Sequence, residues 1–541
     1  MIIALKEFRG LIPKASAMRL PDTHAQIAEN CNLTSGSLVP WRGVDNVVSL
    51  YKEGTKISLF KYYNTYWFHW VNDANCVLGP VGDDIYKRAY ITEAGIAPRM
   101  TETNIAGSGS DDRPANYYLL GIPAPDQAPT VTISGDPGEG LKETRFYVYT
   151  YVSYYGEEGP PSAPSGEVTF DPATQTCSVT LPSSGPEGNY RITHKRLYRT
   201  NTGTSGTQYQ LISEISVSDT DPHQDQLSSS SLGAVIPSVG WYPPNSGLKG
   251  LITLPFGSIA GFFGNFLCFS EPYYPHAWPP EYRIAFDTEI VAIGAWGSTI
   301  LVTTKGMPYM VTGQQPGQMY KERMEVGQAC LSKRGMVDMG YSLLYPAPDG
   351  LVQVGTGKID VVTAPIMSRK EWQSYSPSTI TGLLYDGKYV GFLSGGGGFV
   401  FDPRSLDFTT FTESATGGFS DIESGKMFIV RTGANAGYVG EWNEKTASPM
   451  TYTWRSKQFV TPSPTNFSVG QVFAETYPVT LKIYVDANAT AKQTVTVGNA
   501  KPFPLLGGFT GAIWEIELTG TARVNAVFIA NHAQELKGVY P

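Results

Sequence analysis

Charged residues and long apolar runs are both scarce in this sequence. Asp, Glu, Lys and Arg make up only 16% of its 541 residues. No stretch approaches the roughly 18 apolar residues that a membrane-spanning helix needs. The opening MIIALKEFRGLIPK has too short an apolar stretch for a signal peptide. We therefore expect no membrane-spanning segment, and a chain that is made and folded in a cytoplasm.

Cysteine and histidine are too few and too scattered for a disulfide framework or a metal centre. The five cysteines are odd in number and distant from one another, which favours reduced and mostly buried thiols. No two of the six histidines have the spacing of metal ligands. We expect no metal, no cofactor and no catalytic residues. The cysteines are Cys31, Cys76, Cys177, Cys268 and Cys330.

The common catalytic and phosphate-binding motifs are also missing. The sequence contains no Gly-x-x-x-x-Gly-Lys-Ser/Thr, Gly-x-Ser-x-Gly or His-Glu-x-x-His. The glycine run 395–398 lies between two strand patterns, which favours a tight or bulged hairpin over a phosphate loop. The acidic doublets 83–84, 111–112 and 157–158 lie in turn-like contexts and are interpreted as solvated. An enzyme is not expected.

Basic residues are fewer than acidic residues. The formal net charge is -8 and the isoelectric point about 5.4. This argues against a dedicated nucleic-acid reader, which needs a basic stripe to displace counterions. It is compatible with an ordinary acidic protein and with a passage that nucleic acid crosses without sticking.

Glycine and proline, in contrast, are abundant, at 58 and 39 residues, and they punctuate a repeated hairpin. Each copy is an apolar run, a tight turn and a second apolar run, at a spacing of ~40 residues that is typical of β-propeller blades. No single hairpin buries its apolar face alone, so stacking is expected. The copies begin at Ile57, Gly257, Ile290, Met336, Ile380 and Phe419.

Two segments differ from the repeat. Residues 126–245 contain alternating strands, and the stretch Tyr147 to Ser162 resembles the last hairpin of a fibronectin type III domain, in permuted order. The end of the chain has the pattern of strands separated by Pro, Gly or Asn. A short helix is predicted after Asp22, and a second one at SRKEWQSY from Ser368.

The predicted fold class is all-β: a β-propeller with an inserted fibronectin/immunoglobulin-like β-sandwich and a C-terminal β-sandwich. The predicted domains are an N-terminal arm with the first propeller strands (1–125), the inserted sandwich (126–245), the remaining blades (246–455) and the C-terminal sandwich (456–541).

One connection is unusually rich in proline and aromatic residues. CFSEPYYPHAWPPEYRIAFD, from Cys268, follows a blade strand. A stiff aromatic loop is a good subunit contact, because little entropy is lost on binding. A well-packed long blade connection explains the composition equally well. The candidate interface residues are Glu271, Tyr273, Tyr274, His276, Trp278 and Glu281.

An ordered set of segments resembles the tail nozzle (tail tube tip, or tail hub) proteins of short-tailed bacteriophages. It begins with FRGLIPKASAMRLPDTHAQIAENCNLTSGSLVPWRG and continues with YGEEGPPS, RLYRTNTG, FSEPYYPHAWP and KGMPYMVTG. It ends with IELTGTARVNAVFIANHAQEL. The resemblance covers essentially the whole chain.

The resemblance implies a structural virion protein of the tail, assembled in the bacterial host. Its expected partners are further copies of itself in a six-fold ring, tail adaptor proteins, and tail fibres or spikes. Genomic DNA would pass through the lumen without sequence-specific binding. The alternative is a carbohydrate-binding or cleaving propeller acting as a receptor-binding tail component, although the Ser-x-Asp-x-Gly-x-x-Trp box of sialidase blades is absent.

Overall fold

The structure is a computed structural model and describes residues 1–108, 113–183, 185–203, 206–355 and 358–537. Nearly all regular structure in these ranges is β-strand. The chain divides into two compact units. Unit 1 comprises residues 1–71, 301–309 and 323–541, and unit 2 comprises residues 72–300 and 310–322. No helix in the described ranges is long and apolar enough to cross a bilayer.

The regular elements follow in chain order. The amino-terminal part contains β1 (Ile2–Leu5), β2 (Ala25–Glu29), β3 (Cys31–Asn32), β4 (Val39–Pro40), β5 (Val44–Ser49), β6 (Ser58–Tyr62), β7 (Tyr66–Trp70), β8 (Ala74–Leu78), β9 (Ala89–Glu93), β10 (Ile96–Thr101), α1 (Thr103–Ala106) and β11 (Tyr118–Leu119). The next strands are β12 (Thr130–Ser134), β13 (Glu143–Arg145), β14 (Tyr147–Ser153), β15 (Val168–Phe170), β16 (Thr176–Thr180), β17 (Ile192–Gly203), β18 (Gly206–Ser216) and β19 (His223–Gln224).

The second half of the chain continues the β pattern. It contains β20 (Lys249–Thr253), β21 (Ile259–Phe263), β22 (Phe266–Phe269), β23 (Ile284–Ala285), β24 (Ile290–Trp296), β25 (Thr299–Thr304), β26 (Tyr309–Thr312), β27 (Tyr320–Arg323), β28 (Val337–Asp338), β29 (Ser342–Ala347), β30 (Gly350–Gly355), β31 (Lys358–Val361), α2 (Arg369–Gln373), β32 (Thr381–Tyr385), β33 (Lys388–Phe392), β34 (Gly398–Phe401), β35 (Phe408–Phe411), β36 (Ala415–Asp421), β37 (Lys426–Arg431) and β38 (Tyr438–Trp442). The last strands are β39 (Tyr452–Ser456), β40 (Phe459–Thr465), β41 (Val469–Ala474), β42 (Val479–Val485), β43 (Gln493–Val497), β44 (Phe503–Pro504), β45 (Gly511–Gly520) and β46 (Val524–Ala530). Single 3-10 turns lie at Ser229–Ser231, Pro280–Tyr282, Pro316–Gln318, Lys333–Gly335, Pro377–Thr379, Gly433–Asn435 and Ala533–Leu536.

Unit 1 contains a series of antiparallel meanders. β28–β31 and β32–β35 are two of them, and β36–β38 form a third that β5 completes from the start of the chain. The first strand of each meander packs on the first strand of the next, from β28 to β32 to β36, and β36 packs on β6 of the β6–β7 hairpin. Serial stacking through first strands is the packing of propeller blades.

Unit 2 contains further meanders of this type. β8–β11 and β20–β23 are four-stranded sheets, and β20 packs on β8. Their shared core includes Tyr90, Met100, Leu251, Ile259 and Trp278. The hairpins predicted from Ile57, Gly257, Met336, Ile380 and Phe419 are all antiparallel strand pairs.

A β-sandwich is inserted between the meander that ends at β11 and the one that starts at β20. Its sheets are β12–β16–β19, β13–β15 and β14–β17–β18. Tyr147, Tyr149, Cys177, Val179 and Leu197 pack in its core.

A second sandwich closes the chain. One of its sheets is β1–β46–β41–β44 and the other contains β39, β45, β42 and β43. Strand β1 pairs with β46 (Ile3 opposite Ile529), so the first residues of the chain belong to this sandwich. Trp454, Trp514 and Leu481 fill the core from the other sheet. The fold class predicted from the sequence is confirmed: propeller-type meanders, an inserted sandwich and a C-terminal sandwich.

The helix predicted after Asp22 is wrong. Residues 25–29 form β2, which pairs with β39 and forms a bridge to β35 through Glu29 and Thr410. Tertiary strand pairing overrides the local helical signal there. The helix predicted from Ser368 is confirmed as α2, where Ser368 and Glu371 form a reciprocal capping box.

Candidate interaction surface

The predicted interface loop is a compact connection between β22 and β23 in unit 2. Its ends are joined because the Glu271 amide donates to the Ala277 carbonyl at 2.8 Å, and the Tyr274 amide donates to the Glu271 carbonyl at 3.1 Å. Prolines at 272, 275, 279 and 280 restrict the backbone between these bonds. The loop is therefore ordered by its own hydrogen bonds and by its composition.

One half of this loop is buried. His276 and Trp278 are each only 2% exposed. The indole of Trp278 donates to the Pro275 carbonyl at 2.9 Å, and its ring lies in the core between the two meanders of unit 2. The Trp278 amide donates to the Tyr242 carbonyl at 2.8 Å. The half that contains His276 and Trp278 is therefore a well-packed blade connection, which the sequence analysis gave as the alternative to a subunit contact.

The other half lies on the surface. Tyr273 and Tyr274 are 60% and 46% exposed, and Tyr274 lies against the partly buried ring of Trp241, with ring centroids 4.6 Å apart. Val239 and Tyr242, which lie close to Trp241 in the chain, are 64% and 46% exposed. These five residues form what we call the aromatic patch.

Acidic groups lie beside the patch. Glu281 is exposed, and its carboxylate is near Gly240. Burial and a hydrogen bond with Glu271 raise the pKa of Tyr282 to about 12. Of the six predicted interface residues, Tyr273, Tyr274 and Glu281 are exposed, Glu271 is half-buried, and His276 and Trp278 are internal.

Tyr273 is held in a costly backbone conformation. Its φ is +63°, in the left-handed region that bulky side chains avoid. Its amide donates to the Gly257 carbonyl at 2.8 Å, and its ring covers Gly257 so closely that a Cβ there would lie 2.6 Å from a ring atom. The surrounding structure therefore fixes an exposed aromatic side chain, and such strain often marks a functional position.

A carboxylate pair that the sequence analysis interpreted as solvated supports the buried half of the loop. Glu157 and Glu158 follow β14 in the inserted sandwich, and Glu158 is only 2% exposed. Glu158 accepts hydrogen bonds from Thr150, Tyr198 and Arg196 at 2.7–2.8 Å. The interpretation of this doublet as solvated is wrong. The burial of this doublet could have been predicted from its position, because the doublet lies in a turn directly after a strand that is buried along its whole length.

Glu157 joins the sandwich to the neighbouring β8–β11 meander. The Glu157 carboxylate forms an ion pair with Arg88 at 2.7 Å, and Arg88 forms a second ion pair with Asp84 at 2.8 Å. Burial alone would raise the pKa of Asp84, but hydrogen bonds from Arg88 lower it. Asp84 is therefore also paired rather than solvated, whereas Asp83 is exposed. The doublet 111–112 lies outside the described residues.

His276 connects the loop to this carboxylate pair. Its Nε2 lies 3.1 Å from the Glu158 carbonyl oxygen, and its Nδ1 lies 3.9 Å from the Glu157 carboxylate. Segments from three distant parts of the chain, around Glu157, Arg196 and His276, therefore meet at one point. These are the segments YGEEGPPS, RLYRTNTG and FSEPYYPHAWP of the sequence.

The other sites considered from the sequence have structural explanations. In the glycine run 395–398, residues 395–397 lie in the turn of the β33–β34 hairpin and Gly398 begins β34, with Gly396 and Gly397 at positive φ. Cys31, Cys177, Cys268 and Cys330 are buried, Cys76 is partly buried, and all five are free thiols. Within the described ranges, no group of three or more His, Cys, Asp or Glu residues is arranged to hold a metal ion.

Comparisons with known proteins give only distant structural likenesses. No protein family and no curated protein matches the sequence. BamB from Moraxella catarrhalis is 12% identical over 59% of this chain and 93% of that one, with a TM-score of 0.26. BBS1N in complex with ARL6DN is 8% identical over 75% and 99%, with a TM-score of 0.31. The extracellular domain of the two-component system BT4673 from B. thetaiotaomicron is 10% identical over 62% of this chain, with a TM-score of 0.26; the match spans 41% of that domain's length.

Proposed function

We propose that this chain is a structural subunit of the tail nozzle of a short-tailed bacteriophage. In this proposal copies of the chain form a ring, six-fold as in that family, which extends and closes the DNA ejection channel. The subunit performs no catalytic step. It would function in the virion tail, next to adaptor proteins and tail fibres or spikes.

The proposal rests on one observation, which is that three segments of the chain meet at Glu157 and Glu158. Three of the segments by which the sequence resembles nozzle proteins are far apart in the chain and meet there through hydrogen bonds. A resemblance produced by chance would not be expected to select segments that contact one another. The contacts also fix the inserted sandwich to its neighbours in unit 2.

The aromatic patch supplies a surface for ring contacts. Exposed tyrosines with fixed geometry are typical anchors of interfaces, because their large rings are buried on binding at a low entropic cost. A closed ring needs a rigid patch on one face of each subunit, which meets a different face of the next. Tyr273 and Tyr274, fixed by Gly257 and Trp241, meet that requirement.

The acidic charge of the chain suits the passage of DNA. A net charge of -8 opposes electrostatic retention of phosphates during ejection. Weak binding of duplex DNA, even at low salt, is therefore part of the proposal.

The test is a cryo-electron-microscopy reconstruction of the virions that contain this chain, focused on the tail. Density for a ring of these subunits at the distal end of the DNA channel is the expected result. Localisation on the tail periphery, or absence from particles, would overturn the proposal.

A solution experiment tests the proposed contact. Deletion of residues 271–281 would also remove His276 and Trp278 from the interior, so point variants are sharper. The double variant Tyr273→Ser with Tyr274→Ser is expected to abolish rings of purified protein in mass photometry. Tyr51→Ser, at a tyrosine that is 57% exposed in unit 1, is the matched control. Equal assembly of both variants would exclude the patch as the ring contact.

A further inference from the structure

Unit 1 contains a cleft that the proposed nozzle function does not use. Its volume is about 910 Å³, which is in the size range of small-molecule sites. One wall is the outer part of the β28–β31 sheet. The other is formed by the chain after β31 and by the turn between β34 and β35.

The strand register makes the sheet wall polar. Gln353 pairs with Asp360, and Gly355 pairs with both Ser342 and Lys358. Residues opposite each other in a sheet project from the same face, so these side chains share one surface. The amide of Gln353 donates to the Ser342 hydroxyl at 2.8 Å.

The polar wall is electrically balanced. The ammonium of Lys358 lies 2.7 Å from the Asp360 carboxylate, and both groups are exposed to solvent. On the sheet wall, Lys358 and Asp360 therefore offer charged hydrogen-bonding groups of both signs that offset each other. Such a wall favours a neutral polar ligand over a phosphate or a carboxylate.

The facing wall is apolar. It contains Ala364, Pro365, Pro403 and Leu406. Leu406 has a φ of +60°, and its amide donates to the Asp402 carbonyl at 2.8 Å. A leucine is rarely found in this conformation, so the turn holds an apolar side chain at the cleft at some cost in strain.

An aromatic ring lies at the edge of the cleft. Tyr341 is 45% exposed, and the guanidinium of Arg404 lies 5.6 Å from its ring centroid. Tyrosine combines an apolar ring face with a hydrogen-bonding hydroxyl. It suits a ligand that has an apolar face and polar edges.

We propose that this cleft binds a neutral oligosaccharide. A sugar ring presents C–H groups on its faces and hydroxyls around its edge, which match the apolar wall, Tyr341 and the polar wall together. A peptide added along the edge of β31 fits less well, because Lys358 and Asp360 are the alternating charges that protect sheet edges from strand addition. This site is independent of the nozzle proposal, and either can fail alone.

The test is binding of the full chain to an array of neutral hexose and N-acetylhexosamine oligosaccharides, with isothermal titration of the best ligand. Gly355→Val fills the cleft, since a Cβ at residue 355 meets only ordinary contacts, the nearest being Ser342 at 3.5 Å. Tyr341→Ala removes the ring, which is expected to weaken binding by about tenfold. Gly395→Val, at a glycine with open space around it, is the control for the first change.

Binding that is lost in both cleft variants and kept in the control supports the proposal. No binding to any neutral oligosaccharide would overturn it. So would binding that both variants retain, or binding restricted to acidic or phosphorylated glycans. Unchanged melting temperatures of the variants ensure that a loss of binding reports the cleft and not unfolding.

Discussion

The Nδ1 atom of His276 lies 3.9 Å from the carboxylate of Glu157 and has no hydrogen-bond partner in the described part of the chain. Arg88 already neutralises that carboxylate through a 2.7 Å ion pair. The imidazole is therefore buried beside charges that are paired with each other. Burial lowers the pKa of His276, and the charge of Glu157 only partly opposes this.

The lowered pKa predicts a loss of stability in acid. Below the ordinary histidine pKa of about 6.5 the unfolded chain binds a proton that folded His276 does not, so the unfolding free energy falls as the pH decreases. Burial lowers the pKa of His24 as well, and that residue adds a change of the same sign. We expect His276→Gln to reduce the pH dependence of urea unfolding between about pH 7.5 and pH 5. Exposed His532→Gln is the control, and equal slopes in both variants would refute the assignment.

Glu158 is predicted to stabilise unit 2 strongly. Glu158→Gln leaves Arg196, which is only 28% exposed, without its buried charge partner, at a cost of about 3 kcal/mol in unfolding free energy. Glu214 is the second partner of Arg196, and its side chain is 42% exposed. Glu214→Gln is therefore expected to cost about 0.5 kcal/mol in unfolding free energy. Denaturant titrations of the two variants give the comparison directly. Similar losses would mean that burial of Glu158 contributes little.

Gly257 is predicted to be required for the position of Tyr273. An alanine there has a left-handed φ of +81° and places its Cβ 2.6 Å from the tyrosine ring. Gly264→Ala is the matched control, since its φ is +53° and no atom lies within 4 Å of the added Cβ. The control is expected to lose about 1 kcal/mol, and Gly257→Ala clearly more. Thermal unfolding measures both, and equal losses would show that the ring does not depend on Gly257.

We predict that Tyr273 lowers the stability of the free subunit and strengthens the assembly of the ring. Asparagine tolerates the left-handed conformation better than tyrosine, so Tyr273→Asn should leave the free subunit at least as stable. The same change removes an exposed ring from the aromatic patch, so the ring assembly of the proposed nozzle should weaken. Analytical ultracentrifugation with parallel calorimetry separates the two effects. A variant that is less stable but assembles normally would reverse the interpretation.

The thiols are predicted to be unreactive in the folded protein. Burial raises the pKa of Cys330 to about 11 and that of Cys268 to about 12, so little nucleophilic thiolate forms near neutral pH. All five cysteines are free and should react with Ellman's reagent only after denaturation. Rapid labelling of a native thiol would reveal local opening at that residue.

The sequence predicted the repeat but not the long-range partners. The β32–β33 hairpin could be predicted because Asp386 and Gly387 supply two consecutive positive φ values at its turn, and the residue types themselves specify that geometry. Residues 25–29 carry a helical signal, but pairing with β39, more than four hundred residues away, makes them a strand. Local sequence contains no information about such a partner.

The lack of long-range information in local sequence also explains which parts of the candidate site could be predicted. Proline and aromatic density identified the loop that contains Tyr273 and Tyr274, since composition is visible in the sequence. The division between its exposed and buried halves depends on Glu157 and Glu158, which approach from the inserted sandwich. A carboxylate doublet next to glycine looks like a surface turn until its tertiary partners are known.

Strand β5, which completes the β36–β38 meander, has a consequence for biosynthesis. Val44–Ser49 emerges from the ribosome about 400 residues before its partner Tyr438–Trp442, and at 5 to 20 residues per second it waits roughly 20 to 80 s without a neighbour. Strand β1 waits still longer for β46. Chain fragments that end before these partners carry exposed strand edges, so premature termination should yield aggregates rather than partial subunits. The order of the strands thereby selects against incomplete translation, because β5 and β1 are paired only after β38 and β46 have been synthesised.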